Sequence, residues 1–166
     1  VSTIAIGGRN IATKTNQGTT GWFWSMKTGD YTMERFDDEN GIACCKFTRG
    51  KKEHTGWSVI AYDYINRIMY KTSTKYTVSF EVKSSVTSGN IMCSFRLSNS
   101  SDPLTNNMVM GSIPTANTWT KLVCTLTTVS KFPTDTNQLL YLTGMNSIAD
   151  AVYIVRNLKI EEGTKA

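Results

Sequence analysis

The chain has 166 residues, of which 10% are aromatic and 19% charged, and this composition excludes a disordered chain and a coiled coil. Its formal net charge is +5, but the basic residues are scattered, and the one compact cluster, Arg49-Gly-Lys51-Lys52, is typical of a solvated loop. The sequence has no nucleic-acid-reading motif, no apolar run long enough to cross a membrane and no signal peptide in its first residues, so neither nucleic acid nor a membrane is an expected partner. The length fits a single domain with a sizeable core.

Alternation of apolar and polar residues dominates the chain and predicts β-strands. In the clearest stretch Tyr76, Val78, Phe80 and Val82 share one face. The stretch 91–97 repeats the pattern, and the polar segment 84–90, with Ser88-Gly89-Asn90 at its tip, predicts a hairpin between the two. Strands are predicted over 31–36, 42–48, 57–62, 76–83, 91–97, 119–129, 139–143 and 152–161.

Two segments allow alternatives. Residues 61–70 place apolar side chains at a helical spacing, although their neighbours are predicted strands. In the last strand Tyr153 and Val155 are out of phase with Leu158 and Ile160. A bulge at Arg156-Asn157 would reconcile them, or Val152 and Ile154 would share the face of Leu158 instead. Eight or more short strands predict an all-β sandwich or barrel.

The four cysteines, Cys44, Cys45, Cys93 and Cys124, show no zinc-site spacing. Adjacent Cys44 and Cys45 are expected on opposite faces of one strand. The apolar context of three of them favours buried free thiols over disulfides, which fits assembly in a reducing cytoplasm.

Several segments occur in an order that resembles a known family: Ile6-Gly-Gly-Arg-Asn10, Tyr76 to Lys83, Trp119 to Thr125 and Val152 to Gly163. The chain resembles carbohydrate-binding-module-like jelly-roll domains of bacteriophage and prophage tail, baseplate and fibre proteins. The resemblance implies a galactose-binding-like jelly-roll β-sandwich of two antiparallel sheets. It also implies one domain over 1–166, cut from a longer tail protein, with 1–8 leading in and 162–166 leading out.

The function implied by this resemblance is non-catalytic adhesion to host cell-surface carbohydrate. Its partners would be cell-surface or cell-wall polysaccharide and the neighbouring domains of the same tail protein, in some fibres as a homo-trimer. The protein would then belong to a virion assembled in the bacterial cytoplasm, or alternatively be a secreted bacterial protein. Two other functions stay open: a structural spacer or docking domain of a tail or fibre without a glycan ligand, and an accessory module of a bacterial glycoside hydrolase.

A sugar site needs flat aromatic surface and polar groups at its rim, because pyranose faces carry C–H bonds and pyranose edges carry hydroxyls. Trp22 and Trp24 share a face opposite Phe23, so either both tryptophans are exposed or both are buried. The aromatic residues near position 60 form a platform or fill the core, and Arg96 either binds a sugar or uronate or is merely solvated. The candidate ligand-binding residues are Trp22, Trp24, Trp57, Tyr62, Tyr64 and Arg96.

Neither catalysis nor a metal has a motif in this sequence. His54 is the only histidine and lies in a charged loop, where a solvated side chain is the ordinary outcome. The carboxylates show no arrangement typical of glycoside hydrolysis, so we predict that the protein is not an enzyme and uses no cofactor. Asp37-Asp38-Glu39-Asn40 is either an acidic turn or a source of oxygen ligands for the structural calcium ion of some related domains.

Overall fold

In a computed structural model of the protein, the described residues are 24–26, 31–50, 60–62, 70–97, 104–132, 138–144 and 148–164. These residues form ten β-strands and no helix, and none of them belongs to a helix of the length and apolar character that a membrane crossing requires. The strands are β1 Trp24–Met26, β2 Tyr31–Asp37, β3 Ala43–Arg49, β4 Ile60–Tyr62, β5 Lys75–Ser84, β6 Ser88–Leu97, β7 Met108–Ile113, β8 Thr120–Thr127, β9 Gln138–Thr143 and β10 Val152–Glu162.

The strands form two five-stranded antiparallel sheets. The first sheet has the order β2-β3-β10-β5-β8, and the second has the order β1-β4-β9-β6-β7. The two inner faces supply one continuous apolar core, which confirms the predicted all-β sandwich.

The core is built from the alternation that the sequence shows. Tyr76, Val78, Phe80 and Val82 are all buried on the inner face of β5. In β6 the inward residues include Phe95, whose ring stacks on Tyr70 with centroids 3.8 Å apart. Every second side chain of each central strand therefore leaves water, and this burial is the main driving force for closing the sandwich.

The predicted bulge in β10 is confirmed. Its pairing with β5 shifts register between Arg156 and Lys159, and Asn157 adopts a left-handed φ of 55°. The extra residue lets Val155 and Leu158 both face the core, with 0% and 1% exposure. Asparagine tolerates this backbone region better than most residues other than glycine.

The predicted hairpin between 76–83 and 91–97 is wrong. The two strands lie in different sheets: β5 pairs with β10 and β8, whereas β6 pairs with β7 and β9. Residues 88–90 belong to β6, so only 85–87 connect the strands, and this short link carries the chain from one sheet to the other. The alternation correctly predicted which side chains of β5 and β6 face the core. The two strands contribute these side chains to the same core from opposite sheets.

Three further predictions need correction. The helix considered over 61–70 does not begin at its expected residue, because Ala61 and Tyr62 pair with β9 as part of β4. The strand β7 was not predicted, because Gly111 and Ser112 interrupt its alternation. Arg49 does not belong to a solvated loop, since it ends β3 and is only 2% exposed.

Candidate ligand-binding face

The outward face of the second sheet carries an arginine stacked on a tyrosine. The Arg96 guanidinium carbon lies 4.7 Å from the ring centroid of Tyr141, and Arg96 Nε donates a hydrogen bond of 3.2 Å to Ser94 Oγ. Ser94 in β6 is directly opposite Tyr141 in β9. The three side chains thus form one unit across two neighbouring strands.

The fold produces this unit by strand alternation. Phe95 in β6 and the two leucines that flank Tyr141, Leu140 and Leu142, are fully buried in the core. Their neighbours therefore point to the other face of the sheet. Cation–π contact and the serine hydrogen bond together restrict the rotamers of Arg96, so the guanidinium is held along the sheet before any ligand arrives.

The side chains on this face of the second sheet differ in burial. Ser94 and Thr143 on the sheet floor are 1% and 3% exposed, while Arg96 and Tyr141 are half-buried. A guanidinium offers five N–H donors and a phenol offers a donor and an acceptor. This surface therefore offers hydrogen-bonding groups from the guanidinium and the phenol beside the apolar face of the tyrosine ring.

Two other predicted residues lie in the same sheet. The backbone pairing sets Trp24 of β1 opposite Tyr62 of β4, and Tyr62 opposite Leu140 of β9. Their predicted role in ligand binding stays a prediction.

The other predicted site residues, Trp22, Trp57 and Tyr64, lie outside the described residues, as does His54. Of the six candidates, Arg96 is the one whose side-chain contacts are described. It lies on the outward face, as the alternation of β6 predicted.

Tyr141 was not predicted as a site residue. The signal was present, because Leu140 and Leu142 flank it and a strand over 139–143 was predicted, which already implied an outward tyrosine. What the sequence could not give was the pairing of β9 with β6, which brings Tyr141 to Arg96 across 45 positions of the chain.

The outward face of the first sheet carries a second polar network. Arg156 donates to Asp38 Oδ2 at 2.7 Å and to Glu81 Oε1 at 3.4 Å, and its guanidinium lies 3.8 Å from the Trp119 ring centroid. Asn157 donates its amide to the other oxygen of Glu81. Burial alone would raise the pKa of Glu81, but the hydrogen bonds from Asn157 and Arg156 outweigh it and lower that pKa.

This network has a structural role. It joins the β2–β3 turn, the bulge of β10, the strand β5 and the segment that precedes β8. Trp119 belongs to this structural network through its contact with Arg156. A depression of about 410 Å³ lies beside the network, and its wall includes Glu81 and Asn157, which are already bonded to each other.

In the acidic turn, the Asp38 carboxylate accepts its hydrogen bonds from groups of the protein. Asp38 Oδ1 accepts hydrogen bonds of 2.9 Å from the backbone N–H groups of Asn40 and Ile42, and Oδ2 accepts from Arg156. The Ile42 bond is the main cause that lowers the pKa of Asp38. Within the described part of the chain, no three His, Cys, Asp or Glu side chains gather in a way that could hold a metal ion.

No family model matches this sequence, and no curated protein matches it. Solved structures do match by fold. The chain is similar to the CBM22-1 xylan-binding domain of Xyn10C from Paenibacillus barcinonensis, with a TM-score of 0.60 and 17% identity over 98% of this chain and 99% of that one.

Two further structures show the same fold. The family 11 carbohydrate-binding module of the cellulase Lic26A-Cel5E from Clostridium thermocellum matches with a TM-score of 0.58 and 13% identity, over 98% of both chains. The arabinose-bound α-L-arabinofuranosidase MgGH51 matches with a TM-score of 0.69 and 14% identity over 96% of this chain. Our chain spans only 26% of that enzyme. At these identities the similarity shows the fold, which is the predicted jelly-roll sandwich.

Proposed function

We propose that this protein is a non-catalytic carbohydrate-binding module that binds polysaccharide through the outward face of its second sheet. The observation that carries the proposal is the preorganised pair of Arg96 and Tyr141, half-buried on an outward sheet face. The jelly-roll fold supports it, because the similar structures named above include a xylan-binding domain and a carbohydrate-binding module.

The chemistry of the pair suits a sugar ring. The Arg96 guanidinium supplies donors for hydroxyl or carboxylate oxygens, and the exposed part of the tyrosine supplies apolar area and a phenol. Each of these contacts is modest, and repeated sugar units or repeated copies of the module provide avidity.

The same proposal extends to the kind of protein that carries the module. Residues 6–10 and 152–163 resemble the segments that flank such domains in phage tail proteins, which supports a virion-borne adhesin for bacterial surface glycan. An accessory module of a glycoside hydrolase is the second setting, and it is supported by the fold match to a part of an arabinofuranosidase. A spacer or docking domain of a tail or fibre is the alternative function.

The test is a binding assay against a panel of polysaccharides that contains xylans, uronate-bearing glycans and bacterial cell-wall preparations. With any glycan that binds, Arg96→Ala and Tyr141→Ala should each weaken the association constant about tenfold, the size of one lost charge-assisted hydrogen bond or stacking contact. Tyr141→Phe keeps the ring and should lose much less.

The matched control is Lys159→Ala, which removes an exposed cation from the outward face of the first sheet. It should leave binding unchanged. If Lys159→Ala weakens binding as much as Arg96→Ala does, then general electrostatic attraction explains the effect and the site assignment fails. If no glycan of the panel binds the unmodified chain, the spacer alternative is favoured.

A further inference from the structure

The charged residues of the described strands are divided unequally between the two sheets. In the second sheet, the strands β1, β4, β6, β7 and β9 together carry a single charged side chain, Arg96. The described carboxylate residues all belong to the first sheet or to the turns beside its strands: Glu34, Asp37, Asp38, Glu39, Glu81, Asp150, Glu161 and Glu162. Arg96 therefore lies in a sheet whose described strands supply no negative charge.

The first sheet shows how this fold neutralises an arginine that is stacked on an aromatic ring. The Arg156 guanidinium lies 3.8 Å from the centroid of the Trp119 ring and forms ion pairs with Asp38 at 2.7 Å and Glu81 at 3.4 Å. Taking a charge partly out of water is costly unless an opposite charge accompanies it. For Arg156, two carboxylates from neighbouring elements supply that opposite charge.

Arg96 has the same kind of stacking without the carboxylates. Its guanidinium carbon lies 4.7 Å from the centroid of the Tyr141 ring, its Nε donates to Ser94 Oγ, and its side chain is half-buried. The ion pairs found among the described residues involve Lys46, Lys71 and Arg156 as cations, and not Arg96. The terminal nitrogens of its guanidinium therefore remain available to a ligand.

The missing counter-ion indicates which ligand group fits this position. A carboxylate accepts two parallel N–H bonds from a guanidinium, and such charge-assisted bonds are roughly twice as strong as neutral ones. A hydroxyl also accepts an N–H bond but brings no charge. In a uronate the carboxylate is bonded directly to the pyranose ring, so one sugar unit can present its charge to Arg96 and its apolar C–H groups to Tyr141.

We propose that this face selects uronate-containing polysaccharides, and that the ligand carboxylate pairs with Arg96 as Asp38 and Glu81 pair with Arg156. This inference rests on the proposed function, because it names the class of sugar bound at that same site. It differs from a general attraction of acidic polymers to a chain of net charge +5, since it assigns the preference to one guanidinium.

The test compares acidic polymers with their own neutral derivatives. Polygalacturonate, alginate and glucuronoxylan are titrated with the unmodified chain, first as native polymers and then after methyl esterification of their carboxylates. Esterification removes the charge and keeps the hydroxyls and the sugar backbone. We expect at least one native polymer to bind about tenfold more tightly than its ester, the size of one charge-assisted hydrogen bond.

Two substitutions assign the preference to a single side chain. Arg96→Gln removes the charge and keeps a hydrogen-bonding side chain, so affinity for the native polymer should fall about tenfold while affinity for the ester changes little. Lys159→Gln is the matched control, because it removes one exposed positive charge from the first sheet and should keep the full preference. Combining each variant with both forms of the polymer isolates the interaction of the guanidinium with the carboxylate.

The outcomes distinguish this inference from the proposed function. If each native polymer binds no more tightly than its ester, but some polysaccharide binds and Tyr141→Ala weakens that binding, glycan binding stands and the uronate preference is overturned. If Lys159→Gln reduces the preference as much as Arg96→Gln does, net charge explains it and the assignment to Arg96 is overturned. If no polysaccharide binds, both proposals fail. The comparison of polymer with ester uses the unmodified chain, so a variant that fails to fold does not remove the test.

Discussion

The bulge of β10 depends on the side chain and the backbone of Asn157, and substitution can separate the two contributions. Asn157→Gly removes the amide that donates to Glu81 but keeps a residue that accepts φ 55°. Asn157→Ala removes the same amide and in addition forces a β-carbon into the left-handed region. The stability difference between the two variants therefore measures backbone strain at this position.

The magnitudes follow from the surroundings of the bond. The Glu81 side chain is 28% exposed, so water replaces part of the lost bond, and its loss costs about 1 kcal/mol. Glycine adds about 0.5 kcal/mol through the greater freedom of the unfolded chain. Alanine adds about 1–2 kcal/mol for the left-handed conformation instead. At this chain length each kcal/mol lowers the unfolding midpoint by about 2–4 °C.

We therefore expect midpoints in the order wild type, Asn157→Gly, Asn157→Ala, with losses of about 3–5 °C and 5–10 °C in thermal unfolding. Asn117 is a matched control, because it has a φ of 58° and an exposed position, and Asn117→Gly should change the midpoint little. If Asn157→Ala is as stable as Asn157→Gly, the bulge relaxes without strain and the reasoning is refuted.

Two further predictions concern stability. The pKa of Glu81 is lower in the folded state than in the unfolded state, so the ionised carboxylate stabilises the folded state at pH values above the unfolded pKa. This stabilisation is lost as the pH falls below about 4.5 and through the folded pKa. Arg156→Met removes one of the hydrogen-bond donors to Glu81. As the pH falls from 5 to 2, the urea concentration at the unfolding midpoint should therefore decrease less steeply in this variant than in the wild type, and an equal decrease in both would contradict the prediction. Gly144→Ala should lower the thermal midpoint by about 5–10 °C, because Gly144 has a φ of 90° and an added Cβ would overlap the Asn90 carbonyl oxygen. Gly89→Ala, which meets nothing within 4 Å, should be nearly neutral, and equal losses in the two glycine variants would argue against the steric cause.

The sequence specified well which side chains of a strand face the core. Tyr76 to Val82 alternates without interruption, and burial of one face follows directly from the pleat of a strand. The bulge was one of the two arrangements that the sequence allowed, and the structure selects it, because Val155 and Leu158 both face the core across the inserted position.

Strand partners could not be predicted in the same way. The link 85–87 could in principle turn the chain within one sheet or carry it to the other, and alternation is identical in both cases. Long-range pairing decides the outcome, as with β10, which enters between β3 and β5. The contact of Arg96 with Tyr141 has the same origin, so the sequence supplied one member of the pair and not the other.

The position of β10 also determines how the sandwich bears load. Its C-terminal end is fastened where the Gly163 N–H donates to the Lys75 carbonyl and the Thr77 hydroxyl donates to the Gly163 carbonyl. A pulling force applied there along the strand acts on the ladders to β3 and β5 in parallel, and many hydrogen bonds must break together before β10 slides. An edge strand pulled sideways would open one bond at a time. The placement of β10 in the middle of its sheet thus gives that sheet resistance to a force directed along the strand.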